Sequence, residues 1–288
     1  MRHSKLTFIL FLLPAVIAFS AVVLIPMFLG IFYSFTDWNG IGNSFHMIGL
    51  QNYLTIFQSD IEFRNAFFFT LKFAIASVIL INVIGFSLAL LVQRSSWLNN
   101  LLRGIFFLPN LIGGILLGFT WQFIFTKVFD MLGSLLHLPF LQGWLSTTST
   151  GFWGLVIVMS WQLSGYMMII YIAALQNISD SIQEAASIDG VTPLQRLFKI
   201  TLPLVSPAFT IGLFLSISNS FKLFDQNLSL TGGAPYKSTQ MLTLNIYNTA
   251  FTLNNLALAQ AKAVIFLILV AAITLTQLYF SKRKELEL

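Results

Sequence analysis

The sequence predicts an all-α integral membrane protein that crosses the bilayer as six transmembrane helices, with both termini in the cytoplasm. Three observations carry this reading. Charged residues make up 9% of the chain and hydrophobic ones 57%, with a mean hydropathy of +0.83, whereas a soluble domain carries about 25% charged residues. Six apolar segments are long enough to cross ~30 Å of hydrocarbon, which takes ~20 residues as a helix. Lys and Arg are shared unevenly between alternate loops.

The first segment runs from about Leu6 to Tyr33. Arg2 and Lys5 precede it as they would a secretory signal, but it is longer than a signal core and no small-x-small site ends it, so a retained span is expected. The second runs from about Asn65 to Gln93, the third from Arg103 to Phe125 and the fourth from Gly151 to Gln176. The fifth runs from Pro207 to Leu230 and the sixth from Leu256 to Phe280. Lipid leaves no backbone group unpaired, so each is expected as a helix.

With the N-terminus inside, the inner flanks hold Arg2, Lys5, Arg94, Arg103, Arg196, Lys199, Lys282, Arg283 and Lys284, and the outer loops only Arg64, Lys127 and Lys237. Basic residues collect on the cytoplasmic side, which sets the orientation. The same rule accounts for the pI of about 9.5: no basic run leads a soluble domain, so the partner is the bilayer and not a nucleic acid. The chain has no Cys, which removes disulfides, thiol catalysis and thiolate metal sites. His3, His46 and His137 are scattered, so no metal cluster is expected.

The loop between the fourth and fifth segments is dense in turn chemistry. Ser181-Ile182-Gln183-Glu184 has the form of a helix capping box, and Ala185 to Ile188 extend that helix. Asp189-Gly190 is a turn signal. Thr192-Pro193-Leu194-Gln195 restarts a helix with a second capping box and Pro in the first turn. Leu194, Leu197 and Phe198 give it an apolar face, and Pro203 and Pro207 break the chain before the fifth span. Two capped helices about a fixed bend suit either an interfacial anchor or a docking knuckle for a cytoplasmic partner.

Glu184-Ala185-Ala186, Asp189-Gly190 and Ile200-Thr201-Leu202-Pro203 follow the spacing EAA-x2-DG-x9-I-T-L-P. This resembles the EAA signature of ATP-binding-cassette importer permeases of the binding-protein-dependent type I. Leu230-Thr231-Gly232-Gly233-Ala234-Pro235 is similar to the LTGGGP loop of their carbohydrate branch, with Ala where a third Gly is commoner. Ile246-Tyr247 with Ala250-Phe251, the stretch Ser34 to Gly40, and Gly49 to Tyr53 fit the same maltose, glycerol-phosphate and multiple-sugar branch. The extra N-terminal helices and large external insertion of the maltose-type subunit are missing.

The resemblance implies the type I importer permease fold, as one transmembrane domain over 1–288 with a coupling-helix segment at about 179–203. Glu184, Ala185, Ala186, Asp189 and Gly190 would couple to ATPase subunits. The implied assembly is a second permease of a different chain, a cytoplasmic ATP-binding-cassette ATPase dimer and an extracellular solute-binding protein, in a bacterial-type cell membrane. No G-x-x-x-x-G-K-[ST] phosphate loop occurs, so ATP and Mg are expected on partner subunits, with no cofactor and no enzyme activity on this chain.

Polar side chains inside spans usually face a cavity or another helix. The third span offers Trp121 and Gln122, and the fourth Trp161, Gln162, Ser164 and Tyr166. The fifth offers Ser216, Ser218, Asn219, Ser220, Lys222, Asp225 and Gln226. Aromatic faces with directed amides and hydroxyls suit a sugar, and interhelical bonding is the plainer reading of each. The resemblance places a sugar-contacting tyrosine at Tyr166 and contact positions at Ser216 and Ser220; Trp121, Trp161, Gln162 and Asn219 complete the candidate path.

Lys222 and Asp225 are spaced to pair on one helix face, and Lys72 and Lys262 to snorkel at outer ends. Gly114 and Gly118 have the G-x-x-x-G spacing of close helix packing. A secondary transporter would be expected to show internal repeats and buried carboxylates, and a membrane enzyme a convergent acid, base or metal set. The sequence displays neither.

Overall fold

The computed structural model describes residues 2–42 and 44–283, with side chains from Thr7 onward. Lys284 and the side chains of Arg2, His3 and Lys5 lie outside the described residues. In chain order the helices are α1 (Thr7–Tyr33), α2 (Gln51–Gln58), α3 (Ile61–Val92), α4 (Trp97–Phe107), α5 (Gly114–Leu135) and α6 (Thr148–Gln176). They continue as α7 (Asp180–Ile188), α8 (Pro193–Leu204), α9 (Ser206–Phe221), α10 (Leu242–Tyr247) and α11 (Leu256–Lys282). Five of these, α1, α3, α5, α6 and α11, are long and apolar enough to cross a membrane, and α8 with α9, a pair bent by 71°, passes the same test only when the two are taken together as one span.

The chain forms two compact units, one of residues 1–63 and 245–269, the other of 64–244 and 270–288. In the first, α1 exposes Phe8, Phe11, Ile17 and Val22, the all-round apolar surface of a lipid-facing span. Its Pro26 follows a wide turn at Ser20–Leu24, where the hydrogen-bond ladder is already opened for a residue that has no N–H. Buried Asn52 of α2 donates to the carbonyls of Ser34 and Thr36 at 2.9 and 2.8 Å. Lys262, expected to snorkel, is instead buried: its Nζ lies 2.7 Å from Asp60 and donates to Asn245 Oδ1 and Thr249 Oγ1 at 2.9 and 2.8 Å. The carboxylate was out of view in the sequence because it precedes α3, far from α11.

The second unit packs around α6. Apolar side chains gain little by meeting each other in lipid, so association rests on close approach and interhelical bonds. A Cβ on Gly85 of α3 would come within 2.8 Å of Met167 Cβ, and one on Gly165 within 1.8 Å of the Phe106 carbonyl oxygen. These glycines let α3 and α4 pack on α6. Buried Tyr171 donates to Asn82 Oδ1, and Asn82 donates to Ser216 Oγ at 2.9 Å, which joins α6, α3 and α9.

Two expected spans differ in form. The third is not one helix: α4 ends before a short turn at Leu108–Leu111 that carries Pro109, and α5 starts afresh at Gly114. The proline accounts for the break, since its ring cannot donate to the preceding turn. The fifth leaves the helix at Phe221 and re-forms as a wide turn at Asn227–Thr231. The Thr243 hydroxyl takes the Leu223 carbonyl at 2.7 Å, and the released segment packs on α5. A Cβ on Gly114 would meet Asp225 Cβ at 2.6 Å, and one on Gly118 would meet Ser229 Oγ at 1.8 Å. The G-x-x-x-G spacing therefore serves close packing, here against a turn. The break also separates Lys222 from Asp225: both are exposed, and among the described residues they form no ion pair with each other.

Candidate functional site: a capped knuckle and a polar cleft

The knuckle is built from local bonds. Asp189, Gly190 and Val191 close α7 with N–H bonds to the carbonyls of Ala185, Ser187 and Ala186 at 2.9, 3.3 and 3.2 Å. This is the Schellman pattern, which needs a left-handed residue after the last helical turn, and Gly190 supplies φ of +67°. α8 begins with the expected reciprocal box: Gln195 N–H donates to Thr192 Oγ1 and Thr192 N–H to Gln195 Oε1, at 3.4 and 3.0 Å. Arg196 Nη2 donates to the Gln183 carbonyl at 3.0 Å and also to Gln183 Oε1, so the second helix is tied back to the first.

The first capping box is not formed. The helix starts two residues earlier, with Ser179 at its cap, and the Ser179 hydroxyl bonds the Ser181 hydroxyl at 2.8 Å. Ser-Asp-Ser offers two starts, and the earlier one places Asp180 in the first turn, where a carboxylate meets the positive end of the helix. Glu184 is thereby left with no capping duty. Glu184, Ala185, Asp189 and Gly190 are exposed, as are Ile188, Leu194 and Phe198, while Ala186 faces inward at 5% exposure. Leu197 packs toward the core and does not share the exposed apolar face.

The path residues fall into four sets. Gln162 and Asn219 line a cleft of about 320 Å³ with Asn110, Lys222, Asp225 and Gln226. Gln162 donates to the Ile112 carbonyl at 3.0 Å and accepts from Gln226 Nε2. Trp161 and Trp121 meet edge to face at 5.5 Å, with Trp161 43% exposed. Tyr166 is half-buried against the core, next to the Gly165 crossing. Ser216 and Ser220 are fully buried, Ser216 on Asn82 and Ser220 on Met159. Sequence reasoning missed Asn82, a mid-span amide that was itself a signal, and Asn227. The latter holds the 231–241 loop by donating to Thr231 Oγ1 and the Thr239 carbonyl and accepting from the Met241 N–H, at 3.1, 2.8 and 2.9 Å.

Amides and hydroxyls beside aromatic surfaces can hold a polar solute and offer it alternative hydrogen bonds. Among the described residues no three His, Cys, Asp or Glu are placed to bind a metal.

Such a bundle, with a bond-closed knuckle projecting between two of its spans, is the architecture of a transport permease. The chain belongs to the family described as binding-protein-dependent transport system inner membrane component, whose model matches residues 81–286. It is thus a multi-pass inner-membrane subunit that works with a binding protein, and in this family ATP hydrolysis lies on separate subunits.

The chain is 53% identical over 279 residues to the probable starch degradation products transport system permease protein AmyD of Thermoanaerobacterium thermosulfurigenes, covering 97% of this chain and 95% of the relative. It is 32% identical to the multiple sugar-binding transport system permease protein MsmF of Streptococcus mutans, covering 90% of each. In fold it is similar to a chain of a bacterial transporter involved in import of the acidic polysaccharide alginate, with a TM-score of 0.82 at 21% identity over 98% of this chain and 96% of that one.

Proposed function

We propose that this chain is the permease subunit of an ATP-driven importer of oligosaccharides of the kind released by starch degradation. It pairs with a second, different permease and passes the sugar between them. Both termini lie in the cytoplasm, where the knuckle docks a dimer of ATP-binding-cassette subunits that carry ATP and Mg. The binding protein delivers sugar at the opposite face. The observation that carries the substrate class is the 53% identity, over nearly the whole of both chains, to a permease named for starch degradation products. The knuckle supports the coupling: its exposed Glu184, Ala185, Asp189 and Gly190 stand on a bend closed by its own hydrogen bonds, so a push on α7 is transmitted and not absorbed.

Uptake by proteoliposomes holding the complete complex tests this, with the cognate binding protein loaded with malto-oligosaccharides or with other solutes. ATP-dependent uptake of malto-oligosaccharides is expected. Tyr166→Ala should lower it with assembly intact, since it removes a rigid aromatic surface and a hydroxyl. Accumulation of other solutes but of no oligosaccharide would overturn the substrate class.

A further inference from the structure

A cavity of about 780 Å³ lies behind the knuckle, among the ends of α3 and α6 and the starts of α7 and α8. One wall is apolar, from Leu90, Leu175 and Leu197; the other carries Arg94, Arg196 and Asp180. We propose that this cavity binds the phosphodiester headgroup of an anionic phospholipid.

The charge arrangement favours an anion. The C-terminal end of a helix ordinarily presents bare carbonyls and negative potential. Here Arg103 takes the carbonyls of Val92 and Gln93 at 2.7 and 2.8 Å, and Gln176 takes that of Gln93 at 3.3 Å. The end of α3 is thereby already neutralised. Arg94 is exposed, and among the described residues its guanidinium meets no acceptor. Arg196 gives Nη2 to Gln183 and keeps its other N–H groups. Two cations therefore face one carboxylate, Asp180, and a planar guanidinium matches phosphate geometry.

The size and the apolar wall favour a lipid over a free anion. The volume lies in the range of ~300–1,000 Å³ that takes whole small molecules, more than inorganic phosphate fills. The leucines come from the last turns of two apolar spans and from α8, where the first carbons of acyl chains would lie. On the proposed orientation this is the cytoplasmic leaflet, whose anionic lipids attract basic residues beside spans. A headgroup bridging Arg94 and Arg196 would brace the knuckle against the end of α3.

The test uses the complete complex in nanodiscs of phosphatidylcholine, with or without phosphatidylglycerol. Retained lipid is counted by native mass spectrometry and ATPase activity is measured with loaded binding protein. The wild type should retain phosphatidylglycerol selectively. Arg94→Gln should retain about fivefold less, the factor to which ~1 kcal/mol per surface arginine converts, while Arg94→Lys retains most of it. Phosphatidylglycerol should raise the stimulated ATPase of the wild type more than that of Arg94→Gln.

Equal retention by wild type and Arg94→Gln overturns the proposal. Displacement of the lipid by excess inorganic phosphate would make the cavity a soluble-anion site and overturn the lipid assignment. An equal loss of stimulated ATPase by Arg94→Gln in both lipids, with no lipid selectivity, would assign Arg94 to a protein contact instead. Lipid retention is read without ATP or sugar, so its failure is separable from failure of the transport reading.

Discussion

Gly190 offers the sharpest test of the knuckle. A Cβ there would meet no atom within 4 Å, so the cost of substitution is not steric. It comes from φ of +67°, a conformation that costs an ordinary L-residue roughly 1–2 kcal/mol. Such a penalty lowers the population of the bent form about 5- to 30-fold against its alternatives. The knuckle is two short helices whose angle rests on the Schellman bonds and the Arg196–Gln183 tie, so little else absorbs the loss. Gly190→Ala and Gly190→Leu should therefore reduce ATPase stimulation by loaded binding protein to a similar degree, by as much as that factor, with the membrane subunits still assembled. Gly190→Asn should lie between them and wild type, because Asn enters the left-handed region more readily. Full stimulation in Gly190→Leu would refute the coupling role. Leu far worse than Ala, or Asn no better than Leu, would refute the backbone argument and indicate a partner surface pressed against the site.

Three further outcomes are expected. In the Cys-free chain, a single cysteine at Tyr236, which is fully exposed, should be labelled by an impermeant reagent only from outside; labelling only from the cytoplasm would reverse the orientation. Lys262→Met should destabilise the detergent-solubilised protein by about 3–5 kcal/mol by leaving Asp60 unpaired, and Lys262→Met with Asp60→Leu by much less; equal melting losses would show that the pair is not coupled. Ser216→Ala should cost about 0.6–2 kcal/mol through the lost bond to Asn82 and leave the KM for sugar unchanged, so a raised KM at unchanged melting temperature would assign Ser216 to the substrate.

Features set by neighbours in the chain were legible in the sequence. Thr192 and Gln195 form their box because the two partners are three residues apart, and Asp189-Gly190 bends because the chain needs a left-handed residue there. Gly114 and Gly118 announced a close approach, though not that a turn, Asp225 to Leu230, would fill it. The first capping box failed for a local reason: Ser179 and Ser181 are both competent caps, and spacing alone does not rank them. What stayed illegible depends on distant partners. Lys262 resembled a snorkelling lysine because its carboxylate, Asp60, belongs to a different element, and Asn82 and Ser216 meet only because α3 and α9 cross.

The buried row on α9 decides which polar residues are free for a solute. Gly212, Ser216 and Ser220 recur every fourth residue and are all buried, and a Cβ on Gly212 would strike the Tyr171 hydroxyl at 2.4 Å. Residues four apart share one helix face, so this row is committed to α3 and α6 as a unit. For Ser216 to reach a sugar, Asn82 would have to give up this bond inside the bundle and keep only its 2.7 Å bond to the Val78 carbonyl, a loss of about 0.5–1.5 kcal/mol. Asn219 is off that row and exposed, and it lines the cleft with Gln162. Its amide already donates to the Leu215 carbonyl at 2.8 Å, which leaves its oxygen as an acceptor. The Gln162–Gln226 contact holds the span at its break and leaves one N–H of the Gln226 amide. In this conformation the polar groups of the fifth span that line the cleft are therefore Asn219, in the last turn of its helix, and the break that follows, and not the buried row. The departure from a continuous helix at Phe221 is what exposes that break.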